Sequence, residues 1–433
     1  MISKATFAPA GLRNAIGLQR PPTADLLWVL IRPVQFALYF LSGLVPRKPT
    51  RWVFGSWNGK RYADNAAALF EHCARRPGNG IDAIWIASSR PVLRRVRERG
   101  LRAHLLWSPR GLHACLTAGV YVFVSTTQDI NHWTSRGARL VLLRHGVGIK
   151  KIGRSHTNPS HRQHRLYHGT RMQRALWRFL LPWHSVRSDL VIATSPLHAE
   201  QAYEYFGVGP ERVEITGFPR CDVLFHPERP QVDSALDAWI RDLESRGAHL
   251  FFYMPTFRDD GSPPFVFPWE ELDRRLGELG ARMLVRTHFD DRSGFARRLG
   301  QLRLANIRLH EPHADPYAIF PAVRSLITDY SSVAYDFMLL RRPVIFFTSD
   351  QQSFQQMRSL YFDYDEVTPG LRARTLGELV DAMAAAVEGR GDPHAAARDQ
   401  LMDRFHSYRE GGSCERVYAA VHRRFVDGAG GRA

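Results

Sequence analysis

Cysteine is scarce in this sequence. Its four copies, Cys73, Cys115, Cys221 and Cys414, are scattered over 433 residues with no Cys-x-x-Cys spacing. That argues against a disulfide framework and a cysteine-based zinc site, and makes a reducing cytosol the simplest setting. Acidic residues are missing from Ile130 to Ser188, a stretch that holds twelve Lys or Arg and seven His. Those histidines lack metal-ligand spacing, so no metal is expected there. No helix-turn-helix, zinc-finger or RNP-type motif accompanies the basic excess, so no nucleic-acid partner is expected. Internal repeats and low-complexity tracts are absent as well.

Long apolar runs are also few. Residues 26–45, LLWVLIRPVQFALYFLSGLV, are the one stretch with the length to cross a bilayer. No small-residue cleavage site follows, which argues against a secretory signal. Twelve Leu, Ile, Val and Phe favour insertion by about 5 kcal/mol in total. Arg32 costs about 2.5–3.5 kcal/mol, and Pro33, Gln35, Ser42 and Gly43 use up most of the rest. An interfacial helix or helical hairpin backed by Arg47 and Lys48 fits better than a span. A core helix packed on the first domain is the plainer alternative.

What is present is a globular composition of 44% hydrophobic residues and a net charge of +17. The length suits two domains of ordinary size. The charge predicts an anionic partner. After residues 1–50, a leader and apolar segment, short apolar runs alternate with helical stretches. RWVFGS, DAIWIAS, HLLW, YVFVST, RLVLL, DLVIATS and VEITG are the first strands. HLFFYMPT, ARMLVRTH, IRLHE, SLITD and PVIFF form a second set. This alternation predicts an α/β fold with mostly parallel sheets covered on both faces. The Pro-rich, charged HPERPQVD marks a boundary, giving domains at 51–235 and 236–425.

Five strand ends carry polar residues suited to phosphate chemistry. Ser325–Phe347 reads SLITDYSSVAYDFMLLRRPVIFF, a buried strand, two hydroxyls, a helix and another strand. Ser331 and Ser332 fall at the helix start, where free N–H groups and the dipole favour an anion. One serine alone would be an ordinary N-cap; the second is not needed for that. In LVLLRHGVGIKK, His145 stands at a strand end beside Gly146 and Gly148, placed to take a proton near neutral pH. FYMPTFRD contributes Thr256 and Arg258, LVRTH contributes Arg286 and His288, and ITGFPRCD contributes Arg220 and Asp222.

Together these blocks resemble the CDP-glycerol glycerophosphotransferase family, which includes teichoic acid primases and polymerases and related capsule polymerases. The resemblance runs from about residue 51 to 420 in family order. It includes VFGSWNGKRYADNAAALFEH, RHGVGIKKIG, ITGFPRCDVLF, FYMPTFRD, VRTH and the long TDYSS block. Arg144 stands where the family commonly has Trp, Val147-Gly148-Ile149-Lys150 replaces Thr-Pro-Leu-Lys, and Arg286-Thr287-His288-Phe289 replaces Lys-Pro-His-Pro. The resemblance implies a GT-B-like architecture, two Rossmann-like domains around a cleft with the CDP-polyol donor on the second. It implies attack by an acceptor hydroxyl on the β-phosphorus of CDP-glycerol or a related CDP-polyol, with His145 as general base. His288 and Arg286 would offset charge on the phosphoryl group. Thr328, Ser331 and Ser332 would hold the diphosphate, with Thr256, Arg258 and Arg220 as further ligands. Asp329 would orient His288 or fix its turn, and Asp336 and Glu415 would touch polyol or ribose hydroxyls. Lys60, Arg61, Asn65 and Lys150 belong to the acceptor side. The acceptor would be a lipid-linked or glycan polyanion, and the enzyme would work at the anionic cytoplasmic face of the membrane as a peripheral or monotopic protein. No cofactor is required by the sequence. A GT-B enzyme using another nucleotide sugar, and a non-enzymatic polyanion- or membrane-binding protein, are the alternatives.

Overall fold

Short runs of Val, Ile, Leu and Phe buried on both faces make parallel strands, because only flanking helices can cover such a strand. All twelve apolar segments expected as strands form them. The computed structural model describes residues 22–428 except 79, 158, 160–161, 227–233, 257–266, 287–293, 312–313, 352–353, 355–359 and 390–391. The first sheet contains β1 (Lys48–Gly55), β2 (Asp82–Ala87), β3 (Ala103–Leu105), β4 (Ala118–Phe123), β5 (Arg139–Leu142), β6 (Leu190–Ala193) and β7 (Val213–Ile215). Its order is β3-β2-β1-β4-β5-β6-β7, parallel throughout. The second contains β8 (His249–Met254), β9 (Ala281–Val285), β10 (Ile307–Leu309), β11 (Ser325–Thr328), β12 (Val344–Phe347) and β13 (Leu371–Ala373). Its order is β10-β9-β8-β11-β12-β13, again parallel. β13 was not expected, since Leu371-Arg-Ala373 is too short to show an apolar run.

In each sheet the chain order reverses between the first and fourth strands, β1 and β4 or β8 and β11. A ligand crevice opens at the carboxyl ends of the strands at such a reversal. The helices show why they lie where they do. Asp64–Arg75 buries Ala66, Leu69, Phe70 and Cys73, an i, i+3, i+4, i+7 stripe, against the first sheet. Pro196–Phe206 starts with Ser195 accepting the His198 N–H and ends at Gly207 in the left-handed region.

The C-terminal helix Ser413–Phe425 follows the second sheet in sequence but packs on the first unit. The Asp222 carboxylate accepts the Ser413 and Cys414 N–H groups at 2.8 and 2.7 Å. These are orphan donors of a helix start, satisfied by a side chain from a distant segment. One apolar core runs across both units, joining Leu143 and Phe218 to Tyr330, Tyr335 and Val417.

The apolar N-terminal segment lies in the helix Pro22–Ser42. Among the described residues no helix is long and apolar enough to cross a membrane. Arg32, Phe36 and Tyr39, at i, i+4 and i+7, face the first unit. The Arg32 guanidinium lies over Trp133 and Trp183 and donates to the Leu180 carbonyl at 2.8 Å. Phe36 stacks on Phe179 and Tyr39 on His132. Arg47 fixes the helix's exit by donating to the carbonyls of Ser42, Cys115, Ala118, Thr134 and Arg136. The other face, with Ile31, Val34, Leu41 and then Leu44, is exposed.

Replacing Asp222 by Ala leaves two buried N–H groups without their acceptor. Urea denaturation should show a loss of about 1–3 kcal/mol.

Candidate active site

The two strand-order reversals face each other across one cavity of about 1090 Å³. From the first unit it is lined by Trp57, Arg61, Asp64, Val124, Ser125, Arg144, His145 and Gly146. The second unit contributes Met254, Thr256, Arg286, Asp315, Tyr317, Ser331 and Ser332. Each reversal is tied by the same device. Asp129, just beyond β4, accepts the Asn58 N–H beyond β1 at 2.8 Å, with those of Val124 and Ser125 at 3.1 and 2.8 Å. Asp329, just beyond β11, accepts the Thr256 N–H beyond β8 at 2.8 Å and its neighbour Tyr330's at 2.6 Å. A buried carboxylate thus holds the lips of each crevice at fixed spacing.

His145 follows Arg144, whose φ of 58° is left-handed. Trp57, Asn58 and Asp64 share that rare conformation at φ 50°, 57° and 72°. Three of the five non-glycine positions of this kind among the described residues, Trp57, Asp64 and Arg144, therefore line the cavity; such strain collects at functional sites. Arg144 is held by its side chain, which lies over Tyr205 and Phe206 and donates to the His198 carbonyl at 3.2 Å. Asn65 donates to the carbonyls of Leu143 and Arg144 at 3.3 and 3.0 Å.

The His145 ring is accessible from the cavity yet enclosed by protein. Burial lowers its pKa from the ordinary value, with the Asp64 carboxylate opposing. Its Nδ1 lies 3.4 Å from the Val124 carbonyl, and its ring packs on Trp57. A hydrogen on Nδ1 facing that carbonyl leaves Nε2 unprotonated, the form a general base needs. Gly146 is required by contact: a methyl there would overlap the Ser332 hydroxyl from the opposite unit. The loop that carries His145 therefore meets Ser332 at van der Waals range.

Cations crowd the gap. Arg286 is buried and donates to the Ala314 carbonyl at 2.9 Å, with His310 Nδ1 at 2.7 Å. Burial and then the nearby Arg61 lower its pKa to about 9, still a cation at neutral pH. Arg61 is also lowered, first by burial. Two guanidiniums that disfavour each other across a cleft are relieved by an anion between them. The cavity continues into the acid-free tract, past Lys150, Arg154, Arg174, Arg178 and Arg187. Its lining carboxylates, Asp64 and Asp315, are both at the other end.

The cavity brings together His145, Arg61, Lys150, Arg220, Thr256, Arg286, Ser331 and Ser332. Ser331 Oγ accepts the Val333 N–H at 3.4 Å, so this hydroxyl also serves the helix start. Several other expectations are corrected. Thr328 is buried and its hydroxyl donates to the Met254 carbonyl at 2.7 Å, so it braces two strands. Asp329 is a backbone brace, as above. Asp336 is fully buried and bound to Arg220 and Tyr317, out of reach of a polyol. Asn65 is buried and props the His145 loop. Glu415 pairs with Arg76 and His72 on the helix packed beneath it. Lys60 is exposed and outside the lining. His288 and Arg258 lie outside the described residues. The sequence's one Asp-x-Asp spacing, Asp363 and Asp365, also lies off the cavity: Asp363 accepts the Asp365 N–H at 2.8 Å, and Asp365 pairs with Arg372.

Sequence reading missed Asp64, Trp57, Asp315 and Tyr317. Asp64 sits next to Asn65 in the quoted GKRYADN, and choosing between adjacent polar residues needs the backbone geometry.

Two Rossmann-like sheets, a shared cleft and a histidine facing a cationic pocket define a GT-B-like α/β transferase. The chain belongs to the family described as CDP-glycerol:poly(glycerophosphate) glycerophosphotransferase, which matches residues 37–423. It is 25% identical over 415 residues to the teichoic acid glycerol-phosphate transferase of Staphylococcus aureus (strain NCTC 8325 / PS 47), covering 90% of this chain and 97% of that one. It is 24% identical over 370 residues to the teichoic acid poly(glycerol phosphate) polymerase of Bacillus subtilis (strain 168), covering 82% of this chain and 46% of that one. A solved structure of the wall teichoic acid polymerase TagF superposes with a TM-score of 0.68 at 23% identity, over 93% of this chain and 97% of that one. The binding-protein alternative gives way to an enzyme.

With His145 as the general base that the family resemblance implies, activity is lost as pH falls through its pKa. Because burial lowers that pKa, the acid limb of kcat/KM should fall below the usual histidine value of about 6.5. A pH profile with CDP-glycerol checks this.

Proposed function

We propose that the enzyme transfers glycerol phosphate from CDP-glycerol, or a related CDP-polyol, to an acceptor hydroxyl in the synthesis of a teichoic-acid-like polymer. The observation that carries this reading is the meeting of His145 with Arg286, Thr256, Ser331 and Ser332 in one cavity. The hydroxyl attacks the β-phosphorus, His145 takes its proton, the bond to CMP breaks and a phosphodiester forms. Arg286 and Arg61 offset charge on the phosphoryl oxygens, and the Ser332 hydroxyl is a hydrogen-bond donor beside them. The teichoic acid names of the S. aureus and B. subtilis relatives support the choice of polymer.

The acceptor is a polyanion that runs along Arg154, Arg174, Arg178 and Arg187. Among the described residues Arg174, Arg178 and Arg187 have no ion pair, unlike Arg51, Arg372 or Arg398. Their charge is open to phosphates.

The working site is the anionic cytoplasmic face of the membrane. Val34 is 68% and Leu44 79% exposed on the outer side of the N-terminal helix. On the neighbouring helix Arg171–Leu180, Met172 is exposed too. Apolar side chains beside unpaired arginines suit insertion at an anionic interface.

Incubation with CDP-glycerol, CDP-ribitol and UDP-sugars, read by CMP release and product mass, tests the reaction. Transfer from UDP-sugars alone would replace this reading with the glycosyltransferase alternative. His145→Gln should lower kcat by about 10²–10⁴-fold while CDP-glycerol binding persists. Changing Val34, Leu41 and Leu44 together to Glu should abolish co-sedimentation with phosphatidylglycerol vesicles and leave turnover on a soluble acceptor unchanged. Undiminished co-sedimentation would remove the membrane reading.

A further inference from the structure

We infer that Arg220 is a positioning residue that couples the seating of the second unit on the first to the placement of the His145 backbone. This rests on His145 being the base of the proposed transfer. Arg220 follows β7 and belongs to the first unit, where its N–H donates to Asn65 Oδ1 at 3.1 Å. Its guanidinium is buried and both terminal nitrogens are engaged. Nη1 donates to Asp64 Oδ1 at 2.7 Å and to the carbonyl of His145 at 2.9 Å. Nη2 donates to Asp336 Oδ2 at 2.6 Å. Asp336 is on the helix Val333–Met338 of the second unit, one turn beyond Ser332, and also accepts from the Tyr317 hydroxyl.

One planar fork thus touches the base's own peptide and the helix that starts at the serine pair. Separating the units would pull Nη2 from Asp336 and strand a carboxylate that is wholly buried. With the units seated, the same cation pins the His145 carbonyl and so the distance from the ring to the donor pocket. Lys could not replace it, because an ammonium cannot span three acceptors in a fixed plane. The charged groups facing His145 are Asp64, Arg220 and Arg144. Arg220 therefore acts on the base electrostatically as well as by position. Its residue type first suggested a phosphate ligand, but both of its terminal nitrogens are turned to protein acceptors.

Steady-state kinetics on two variants test the inference. Arg220→Lys should lower kcat about a hundredfold, the scale of a 1 Å misplacement, with KM for CDP-glycerol nearly unchanged. Asp336→Asn cuts only the cross-unit arm and should lower kcat at least about tenfold, leaving the acid limb of the pH profile in place. Wild-type kcat in either variant overturns the inference. So does a rise in donor KM that accounts for the whole loss, which would make Arg220 a phosphate ligand. Circular dichroism establishes folding. If either variant unfolds, Tyr317→Phe carries the test: a several-fold fall in kcat supports the coupling and no fall overturns it. A readout free of turnover keeps this test apart from the transfer reaction itself. NMR titration of the His145 C2 proton should move to higher pH in Arg220→Gln, because a neighbouring cation is lost. An unmoved titration overturns the inference even if the donor is not CDP-glycerol.

Discussion

A guanidinium buried between carboxylates from two units is the constraint on which the rest of this structure turns. Arg220 pays heavily in desolvation, and a buried pair of this kind is poor evidence of stability in itself. Its effect is geometric. Burial would lower its pKa, but Asp336, Tyr317 and Asp64 together hold it well above the ordinary value. It stays charged at any pH where the protein folds. Asp64 is buried, yet the Arg220 guanidinium and the Asn65 N–H beside it hold its carboxyl below the usual range. The result is a fixed sequence of groups, the charges of Asp336, Arg220 and Asp64 and then the His145 ring, that crosses from one sheet system to the other. The cavity is as rigid as that sequence.

The two units repeat one solution to one problem. Each is a parallel sheet whose order reverses after its first strand, and each needs its two central loops held apart by a set amount. A carboxylate accepting backbone N–H groups does this through main-chain atoms, whatever side chains those residues carry. Asp129 and Asp329 do the same work in unrelated local sequences, ST-x₂-D and TDY. Burial raises Asp129 to about 7 against its backbone donors, which shows how far this brace is withdrawn from water. The chemistry then needs only that the crevices face each other. Gly146 lets them come close, since a methyl at 146 would displace the Ser332 hydroxyl from where it stands.

Strands, their order of appearance and the strand-end motifs were legible because they rest on local pattern. Apolar runs of four to six residues ending in His, Thr or Ser can be read without knowing what lies opposite. What failed is what depends on the opposite unit. Thr328 and Ser331 look alike in TDYSS, yet one hydroxyl is spent on Met254 and the other faces the cavity. Asn65, Asp336 and Glu415 are polar residues in the right motifs, each spent on a protein partner far away in sequence. Asp64 was passed over for its neighbour because nothing in the order of residues shows a left-handed φ. Periodicity predicts which face of a helix is buried; it does not predict which buried polar group holds another in place.

The excess of positive charge divides into two populations, and only the structure separates them. Arg47, Arg144 and Arg220 are structural cations, each held by carbonyls, rings or carboxylates of the protein. Arg174, Arg178 and Arg187 have no such partners among the described residues, and their segment contains no acid to supply one. A charge-balanced surface would be the cheaper solution, since unpaired like charges repel and destabilise the compact state. Their repulsion is relieved only when an anion arrives, so the tract favours a bound polyanion over the empty site. The same helix pair that carries these arginines turns apolar side chains outward beside them. The proposed acceptor, a phosphate-bearing chain on a lipid, would meet both surfaces at once, with its growing end carried along the cationic arm to His145.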